Sequence, residues 1–276
     1  MKTASILPAG LAVLLALTAP VVQAFTFVVN EGVTYRVGND EIRARYAPIA
    51  ADLTKLLGQP IRVEPVADYP TLRKGLADKS YDLALVHPAH IAIGAMKHSG
   101  YRLVAVTKGF EKYSAAFMVR ADAPFKSLSE LRGRKVGAPD EDSITSWLVR
   151  ATMRDALGDA QAVTYTYTRY QDAVPFMVEH TFTQTGASAS TAVIKQWEAS
   201  GGKVLARSRP VPIKQLIAGP QVSDEQLEKL REYFISLDST EAGRKKLEPI
   251  KVKGYAAYDV PSLLAMGTWL GIAPTP

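Results

Sequence analysis

The chain has 276 residues, a formal net charge of +6 and no cysteine. This length suffices for one large domain or two small ones. The absence of cysteine excludes disulfides, thiolate metal sites, a cysteine nucleophile and the lipid-bearing cysteine of a lipoprotein. The basic residues are interspersed with acidic ones, so the charge pattern does not indicate a nucleic-acid-binding surface, although a mild positive field favours anionic ligands.

The first 24 residues have the pattern of a secretory signal peptide. Lys2 supplies the positive charge, residues 6–19 are mostly apolar, and the small residues ending at Ala24 form a cleavage site. We therefore expect a mature chain that begins at Phe25 and lies in the periplasm. The alternative is an uncleaved anchor, but the apolar run is short and is interrupted by Pro8.

Strand and helix patterns alternate in the residues that follow. Strands are predicted at residues 25–30, 61–66, 81–86 and 103–107, and helices at residues 41–57, 71–79 and from 87 onwards. The third strand ends in a nearly continuous apolar run, which is typical of a buried parallel strand. This order predicts an α/β layer with a parallel-rich sheet, where ligands bind beyond the carboxyl ends of the strands.

The middle of the chain repeats this layout and predicts a second layer. Strands are predicted at residues 114–120, 135–138, 163–167 and 203–206, and helices at residues 143–157, 171–179 and 191–199. Ser127 and Glu130 have the spacing of a capping box at the start of a short helix. The polar, glycine-containing residues 181–190 are interpreted as a connection.

The last part of the chain is predicted to return to the first layer. A strand is predicted at residues 214–219 and helices at residues 223–237 and 240–247, and residues 255–259 and 263–270 close the chain. Two segments, near residues 107–113 and 207–214, then cross between the layers, which predicts a hinged clamp. The expected organisation is a signal peptide (1–24), a first lobe (25–108), a second lobe (109–207) and a return to the first lobe (208–276).

Three hydroxyl side chains lie where the predicted strand at 135–138 is followed by a helix. They belong to Ser143, Thr145 and Ser146. The first N–H groups of a helix have no internal partner and the helix dipole makes this end positive, so the junction is suited to binding an anion. The alternative is that one of these residues only caps its own helix. The acidic residues 140–142 complement the helix dipole, and we expect them to face solvent.

Two histidines follow the third predicted strand. His87 and His90 are candidates for lining a pocket, for packing, or for binding a metal. A metal site needs three or four ligands, and the spacing suggests no third one. The chain also lacks a Gly-x-Ser-x-Gly elbow and a phosphate-binding glycine-rich loop with lysine. We therefore expect neither a catalytic site nor a bound metal or other cofactor.

Five motifs lie in order along nearly the whole mature chain, and each becomes informative through its spacing from the others. They are Tyr81-Asp-Leu-Ala-Leu-Val-His-Pro-Ala-His90, Tyr113-Ser-Ala-Ala-Phe-Met-Val-Arg-Ala-Asp122, Ser127-Leu-Ser-Glu-Leu-Arg-Gly-Arg-Lys-Val-Gly137, Ser143-Ile-Thr-Ser146 and Leu237-Asp-Ser-Thr-Glu-Ala-Gly-Arg244. In this order the chain resembles the PhnD-like phosphate-, phosphite- and phosphonate-binding proteins of bacterial ABC importers. The resemblance implies the type II periplasmic binding protein fold: two α/β lobes, a two-segment hinge and a ligand cleft between the lobes.

The resemblance also implies which residues contact the ligand. The hydroxyls of Ser143, Thr145 and Ser146 would hold its oxyanion, and Tyr113 matches the family tyrosine at the lobe crossing. His87 and His90 would line the pocket from the first lobe. Relatives more often have small or aromatic residues after the proline between these histidines, so His90 would add a proton-sensitive contact.

The second-lobe loop departs from the pattern of relatives that bind aminoalkyl phosphonates. Those relatives carry an acidic residue that meets the ligand amine, whereas this loop is Gly186-Ala-Ser-Ala-Ser-Thr191. Ser188 and Ser190 are neutral candidate contacts. We therefore expect a small oxyanion without an amine, namely phosphate, phosphite or a simple phosphonate.

The expected function is a monomeric periplasmic solute-binding protein that delivers its ligand to an inner-membrane ABC permease. One alternative keeps the clamp but makes the protein the sensory partner of a membrane histidine kinase, as some relatives are. A second alternative is an enzyme on the same fold, as in relatives that act on pyrimidine precursors. The signal peptide and the absence of cysteine count against the enzyme.

Overall fold

The computed structural model describes residues 24–32 and 38–272. The predicted signal peptide lies outside these residues, except for Ala24. Over the described residues the strands are β1 (Phe25–Val29), β2 (Ile61–Pro65), β3 (Leu83–Val86), β4 (Arg102–Thr107), β5 (Ala116–Val119), β6 (Lys135–Ala138), β7 (Thr164–Tyr167), β8 (Thr185–Ser188), β9 (Lys203–Arg207), β10 (Gln215–Ala218) and β11 (Tyr255–Ala256).

Helices separate most of these strands. They are α1 (Asn39–Leu57), α2 (Tyr69–Ala77), α3 (Ala89–His98), α4 (Ile144–Leu157), α5 (Val174–Glu179), α6 (Thr191–Ala199), α7 (Asp224–Ser236), α8 (Glu241–Leu247) and α9 (Val260–Leu270). Short 3-10 turns occupy Leu128–Leu131, Ala160–Ala162, Gln171–Ala173 and Leu237–Ser239. None of the helices in the described residues is long and apolar enough to cross a membrane.

The strands form two separate mixed sheets. The first has the order β11-β4-β10-β3-β1-β2, and the second has the order β7-β6-β8-β5-β9. In the first sheet β1 is parallel to β2 and β3, whereas β10 runs antiparallel between β3 and β4. In the second sheet β6 is parallel to β7 and β8, whereas β5 is antiparallel to β8 and β9. The predicted two-lobed α/β fold is confirmed, with one sheet in each lobe.

Two chain segments connect the sheets side by side. Tyr113 and Val211 form an isolated antiparallel bridge, with N–H···O distances of 3.1 and 2.8 Å. The N–H of Ile213 donates to the carbonyl of Phe110 at 3.0 Å. Paired segments of this kind allow two lobes to rotate about a common axis while the sheets stay intact.

The hydrophobic core crosses from one lobe to the other. A single cluster of buried side chains includes Ala84 of the first sheet, Leu263 of α9, Leu148 of α4 and Ala187 of the second sheet. A second cluster covers the opposite face of the first sheet and includes Leu83 and Phe234. Helix α4, whose start carries the predicted anion site, is therefore held by packing on its apolar side.

The connection predicted at residues 181–190 contains a strand, so this interpretation was wrong. Its residues Thr185–Ser188 form β8, which lies fully buried at the centre of the second sheet. The strand was missed because it has no large apolar side chain. Gly186 explains this composition: a Cβ atom there would lie 2.6 Å from Val174 and 2.7 Å from Val178, both on α5. The sheet and helix approach closely because this residue has no side chain.

The predicted capping box at Ser127 also differs in the structure. Ser127 precedes a 3-10 turn, and its side chain accepts no N–H of that turn. Its hydroxyl instead donates to the Glu130 carboxylate at 3.2 Å. A capping box is present at the start of α7: the Ser223 hydroxyl accepts from the N–H of Gln226, and the Gln226 side chain accepts from the N–H of Ser223.

Candidate ligand-binding site between the lobes

The start of α4 leaves two backbone donors without a hydrogen-bond acceptor in the described residues. Ser143 is the N-cap residue and its hydroxyl accepts from the N–H of Ser146 at 3.2 Å. The N–H groups of Ile144 and Thr145 precede the first hydrogen bond within the helix. They add to the positive end of the helix dipole and form a point of attraction for an oxyanion.

The three predicted hydroxyls at this junction have different surroundings. The Ser146 hydroxyl is fully buried and donates to the Pro139 carbonyl at 3.0 Å. The Ser143 hydroxyl lies 3.3 Å from that of Ser146 and caps the helix. The Thr145 hydroxyl alone turns away from the helix, towards the lobe crossing. Ser143 and Ser146 thus shape the turn, while the buried Thr145 points to the lobe crossing, where it contacts Tyr113.

Tyr113 meets Thr145 at this crossing. Its phenolic oxygen lies 2.8 Å from Oγ1 of Thr145. Burial raises the pKa of Tyr113, although its hydrogen bonds with Thr145 and Gln171 oppose part of this rise. The Tyr113 hydroxyl therefore keeps its proton at neutral pH. Two protonated hydroxyls from different elements thus meet beside the start of α4.

The end of β8 and the residues after it are linked to this group by Gln171, which the sequence analysis did not identify. Gln171, at the start of the turn after β7, donates from Nε2 to the Tyr113 hydroxyl at 3.1 Å. Its Oε1 accepts from the Ser188 hydroxyl and from the N–H of Ser190, both at 3.0 Å. Gln171 follows β7, so it lies near the carboxyl ends of the parallel strands β6 and β7. This position after a predicted strand was the only feature of the sequence that could have marked Gln171 as a site residue.

His87 approaches the same region from the first lobe. Its Nδ1 lies 3.3 Å from the carbonyl oxygen of Ile213. Burial and, to a smaller extent, the charge of Lys214 lower the pKa of His87 to about 4, so the ring is neutral at neutral pH. The Lys214 ammonium lies 4.4 Å from the centre of the Phe110 ring. Lys214 was also missed in the sequence, where it appears only as the first residue of a predicted strand.

His90 has a different environment from His87. Its ring stacks on Trp147 of α4, with the ring centres 4.8 Å apart. Its Nε2 lies 3.3 Å from Oδ1 of Asp142 and 3.2 Å from Nη2 of Arg73. Burial lowers the pKa of His90, although Asp142 opposes the shift. The predicted pocket residue is therefore part of a contact between the lobes.

The carboxylate of Asp142 links the two lobes. It receives two hydrogen bonds from Arg73 of α2, at 2.7 and 2.6 Å. Burial opposes ionisation, but the hydrogen bonds from His90 and Arg73 outweigh it and hold the pKa of Asp142 well below its usual range. The expectation that residues 140–142 face solvent holds for Asp140 and Glu141 and is wrong for Asp142. We call Arg73, His90 and Asp142 the interlobe bridge.

No cluster in the described residues has the composition of a metal site. Within residues 24–32 and 38–272, no group of three or more His, Asp or Glu side chains is placed to hold a metal ion.

A cavity of about 810 Å³ lies beside the hinge, against Tyr113 and Ala189. Cavities of this size hold small organic ligands.

Comparison with known proteins identifies a family. Residues 32–263 match the model of the phosphonate-binding family, described as the periplasmic substrate-binding protein of a phosphonate ABC transporter. No curated protein matches the chain by sequence.

Several solved structures share the fold at low sequence identity. XAC2383 from Xanthomonas citri, bound to ATP, has a TM-score of 0.69 and 15% identity over 90% of this chain and 98% of that chain. PhnD1 from Prochlorococcus marinus, in complex with methylphosphonate, has a TM-score of 0.61 and 14% identity, covering 89% and 97%. PA3383 from Pseudomonas aeruginosa, a binding protein component of an ABC phosphonate transporter, has a TM-score of 0.58 and 17% identity, covering 90% and 86%.

Proposed function

Because the chain belongs to the periplasmic substrate-binding proteins of ABC phosphonate transporters, we propose that it captures phosphate, phosphite or a simple phosphonate between its two lobes. The family supplies substrate to an ABC permease and has no enzymatic role. We further propose that the protein works as a monomer and that the lobes close on the ligand before the permease is engaged.

The observation that carries the proposal is the group of donors at the start of α4. The N–H groups of Ile144 and Thr145 have no acceptor in the described residues, and the Thr145 hydroxyl lies beside them. Tyr113 adds a hydroxyl from the hinge. A helix start, its first turn and a second chain segment thus each supply donors, which suits the several oxygens of a phosphorus oxyanion.

The charges around these donors support an anionic ligand. Asp142 is the nearest acidic residue in the sequence, and Arg73 balances its charge. Lys214 contributes a half-buried positive charge from the first lobe and has no ion-pair partner in the described residues. An oxyanion at the start of α4 would therefore meet N–H donors without an acceptor in the part of the chain that the structure describes, and the acidic residue beside them is already paired with Arg73.

The chemistry of β8 and of the residues that follow it supports a ligand without an amine. Gly186, Ala187, Ser188, Ala189 and Ser190 contribute no charge, and Gln171 is an amide. An ammonium group buried here would lose its water without gaining a carboxylate, which is unfavourable. This supports phosphate, phosphite or methylphosphonate over 2-aminoethylphosphonate.

The test is a thermal-shift series on ligand-stripped protein. The panel contains phosphate, phosphite, methylphosphonate, 2-aminoethylphosphonate, sulfate and small carboxylates. A ligand at 100 times its dissociation constant adds about 2.7 kcal/mol to the free energy of unfolding, which raises Tm by about 5–10 °C for a chain of this size. We expect that shift with a phosphorus oxyanion and a smaller one with 2-aminoethylphosphonate. If only carboxylates or sulfate raise Tm, the ligand assignment is wrong.

A further inference from the structure

The side-chain amide of Gln171 connects three parts of the second lobe. Its oxygen accepts from the Ser188 hydroxyl at 3.0 Å, from the N–H of Ala189 at 2.6 Å and from the N–H of Ser190 at 3.0 Å. Its nitrogen lies 3.1 Å from the hydroxyl oxygen of Tyr113. One half-buried side chain thus ties the loop after β8 to the tyrosine at the lobe crossing.

These contacts fix which end of the amide faces which partner. The N–H groups of Ala189 and Ser190 can only donate, so the amide oxygen has to face them. Rotation of the amide by half a turn would place its NH2 group against these two donors and lose both hydrogen bonds. The NH2 group of Gln171 therefore points at Tyr113 and donates to it.

The direction of this bond determines the direction of the next one. The Tyr113 hydroxyl has a single proton, and Gln171 occupies one of its lone pairs as a donor. The proton of Tyr113 must therefore point elsewhere, to the Thr145 hydroxyl at 2.8 Å or to a ligand beside it. When Tyr113 donates to Thr145, the Thr145 proton is free for a ligand. In either case the two hydroxyls present a proton to the space beside the start of α4.

We propose that Gln171 is a positioning residue that fixes the Tyr113 hydroxyl as a donor towards the cleft and thereby favours an oxyanion over a ligand group that is itself a donor. The inference rests on the proposed function, because it assigns Gln171 to the same site. Gln171 acts through Tyr113 and is not itself placed against the ligand. Its neutral charge matters as much as its geometry, since a carboxylate at this position would reverse the bond.

The test compares two substitutions of glutamine by glutamate, each of which replaces a side-chain NH2 group with an oxygen. Gln171→Glu keeps an oxygen for Ser188, Ala189 and Ser190 but replaces the NH2 group with a second oxygen, so the Tyr113 hydroxyl has to donate away from the cleft. Gln184→Glu is the matched control. The Gln184 Oε1 accepts from the N–H of Lys135 at 2.9 Å, and this residue precedes β8 at the end of the sheet opposite Ser188.

Dissociation constants for phosphate, methylphosphonate and 2-aminoethylphosphonate are measured by titration calorimetry. We expect Gln171→Glu to weaken phosphate and methylphosphonate by about tenfold or more, because a hydrogen bond to a charged group is lost. The same substitution should weaken 2-aminoethylphosphonate less, because the added negative charge attracts its ammonium group at longer range. Gln184→Glu should leave all three values within about twofold. Equal weakening of all three ligands by Gln171→Glu, or no change, would overturn the proposal.

A second readout needs no ligand. In ¹⁵N-labelled protein, the side-chain amide of Gln171 is assigned by the loss of its signal in Gln171→Glu. Its NH2 protons should show nuclear Overhauser contacts to the ring of Tyr113. Contacts to the N–H protons of Ala189 and Ser190 without any to Tyr113 would contradict the orientation. If the wild-type protein binds none of the three ligands, the proposed function fails, and this spectrum still tests the direction of the bond.

Discussion

The interlobe bridge should contribute to ligand affinity although its ion pair lies outside the ligand-contact group. Arg73 belongs to the first lobe and Asp142 to the second, and their two hydrogen bonds of 2.7 and 2.6 Å join the lobes. Opening of the cleft would separate them. The pair therefore stabilises the closed form. A ligand that binds this form should bind more tightly by the free energy that the pair contributes to closure.

The expected size of this effect follows from the exposure of the pair. The side chains of Arg73 and Asp142 are 40% and 38% exposed, so solvent screens the attraction. Exposed ion pairs typically contribute about 0–1 kcal/mol, and two parallel hydrogen bonds place this one near the upper end. A coupling of about 1 kcal/mol corresponds to a change of about fivefold in the dissociation constant.

A double-mutant cycle isolates this coupling. Removal of Asp142 alone also removes a negative charge next to the anion site, so a single variant mixes two effects. The cycle combines Arg73→Gln with Asp142→Asn and measures the dissociation constant of the oxyanion that gives the largest thermal shift. The direct effect of each charge on the ligand cancels in the interaction term.

An ion pair within one lobe provides the control. Arg120 and Asp122 form two hydrogen bonds of 2.9 and 2.8 Å, and both residues belong to the second lobe. The cycle of Arg120→Gln with Asp122→Asn should give an interaction term below about 0.3 kcal/mol in ligand affinity. If the Arg73–Asp142 cycle gives an equally small value, the bridge does not favour the closed form, and the reasoning is refuted.

Two further predictions concern stability. The pKa of His87 is about 4 in the folded chain, against 6.5 ordinarily. As the pH is lowered, the unfolded chain therefore binds a proton at His87 before the folded chain does. The free energy of unfolding then falls between pH 6.5 and pH 4, by up to about 1.4 kcal/mol per pH unit. Denaturant titrations should show a shallower fall in His87→Gln, and an unchanged slope would contradict the burial of a neutral ring. Gly186→Ala should lower the free energy of unfolding by about 1–3 kcal/mol through overpacking against α5. The control is Gly94→Ala, in the interior of α3, where no atom lies within 4 Å of the added Cβ. This substitution should raise the free energy of unfolding by about 0.5–1 kcal/mol. Similar losses of stability in the two variants would refute the close approach at β8.

The sequence was sufficient for the elements that bury large apolar side chains. The run ending in Leu83-Ala-Leu-Val86 predicted a buried parallel strand, and the structure places it as β3 with β1 beside it. Gly158 ends α4 with a φ of 76°, a conformation that glycine adopts without strain. Periodicity and helix-end signals act over a few residues, so they can be recognised without knowledge of the tertiary fold.

The parts that the sequence did not reveal depend on distant partners. The strand Thr185–Ser188 packs closely against α5 because Gly186 has no side chain. No local apolar pattern in the sequence predicts this contact. Asp142 is one acid among three in the sequence, and only the fold brings Arg73 to it across 69 positions of the chain. Gln171 gains its four partners in the same way. Polar networks between lobes are set by tertiary geometry and carry no local periodic signal.

The most direct test of the account is the dissociation constant of the bound oxyanion in two threonine variants of α4. Thr145→Val removes the hydroxyl that faces Tyr113, whereas Thr152→Val removes one that donates to the Leu148 carbonyl at 2.7 Å within the same helix. One hydrogen bond to a charged group contributes about 1.5–3 kcal/mol, so Thr145→Val should weaken binding by about tenfold or more. Thr152→Val should leave the constant within about twofold of the wild-type value. Equal dissociation constants in all three proteins would contradict an oxyanion site at the start of α4.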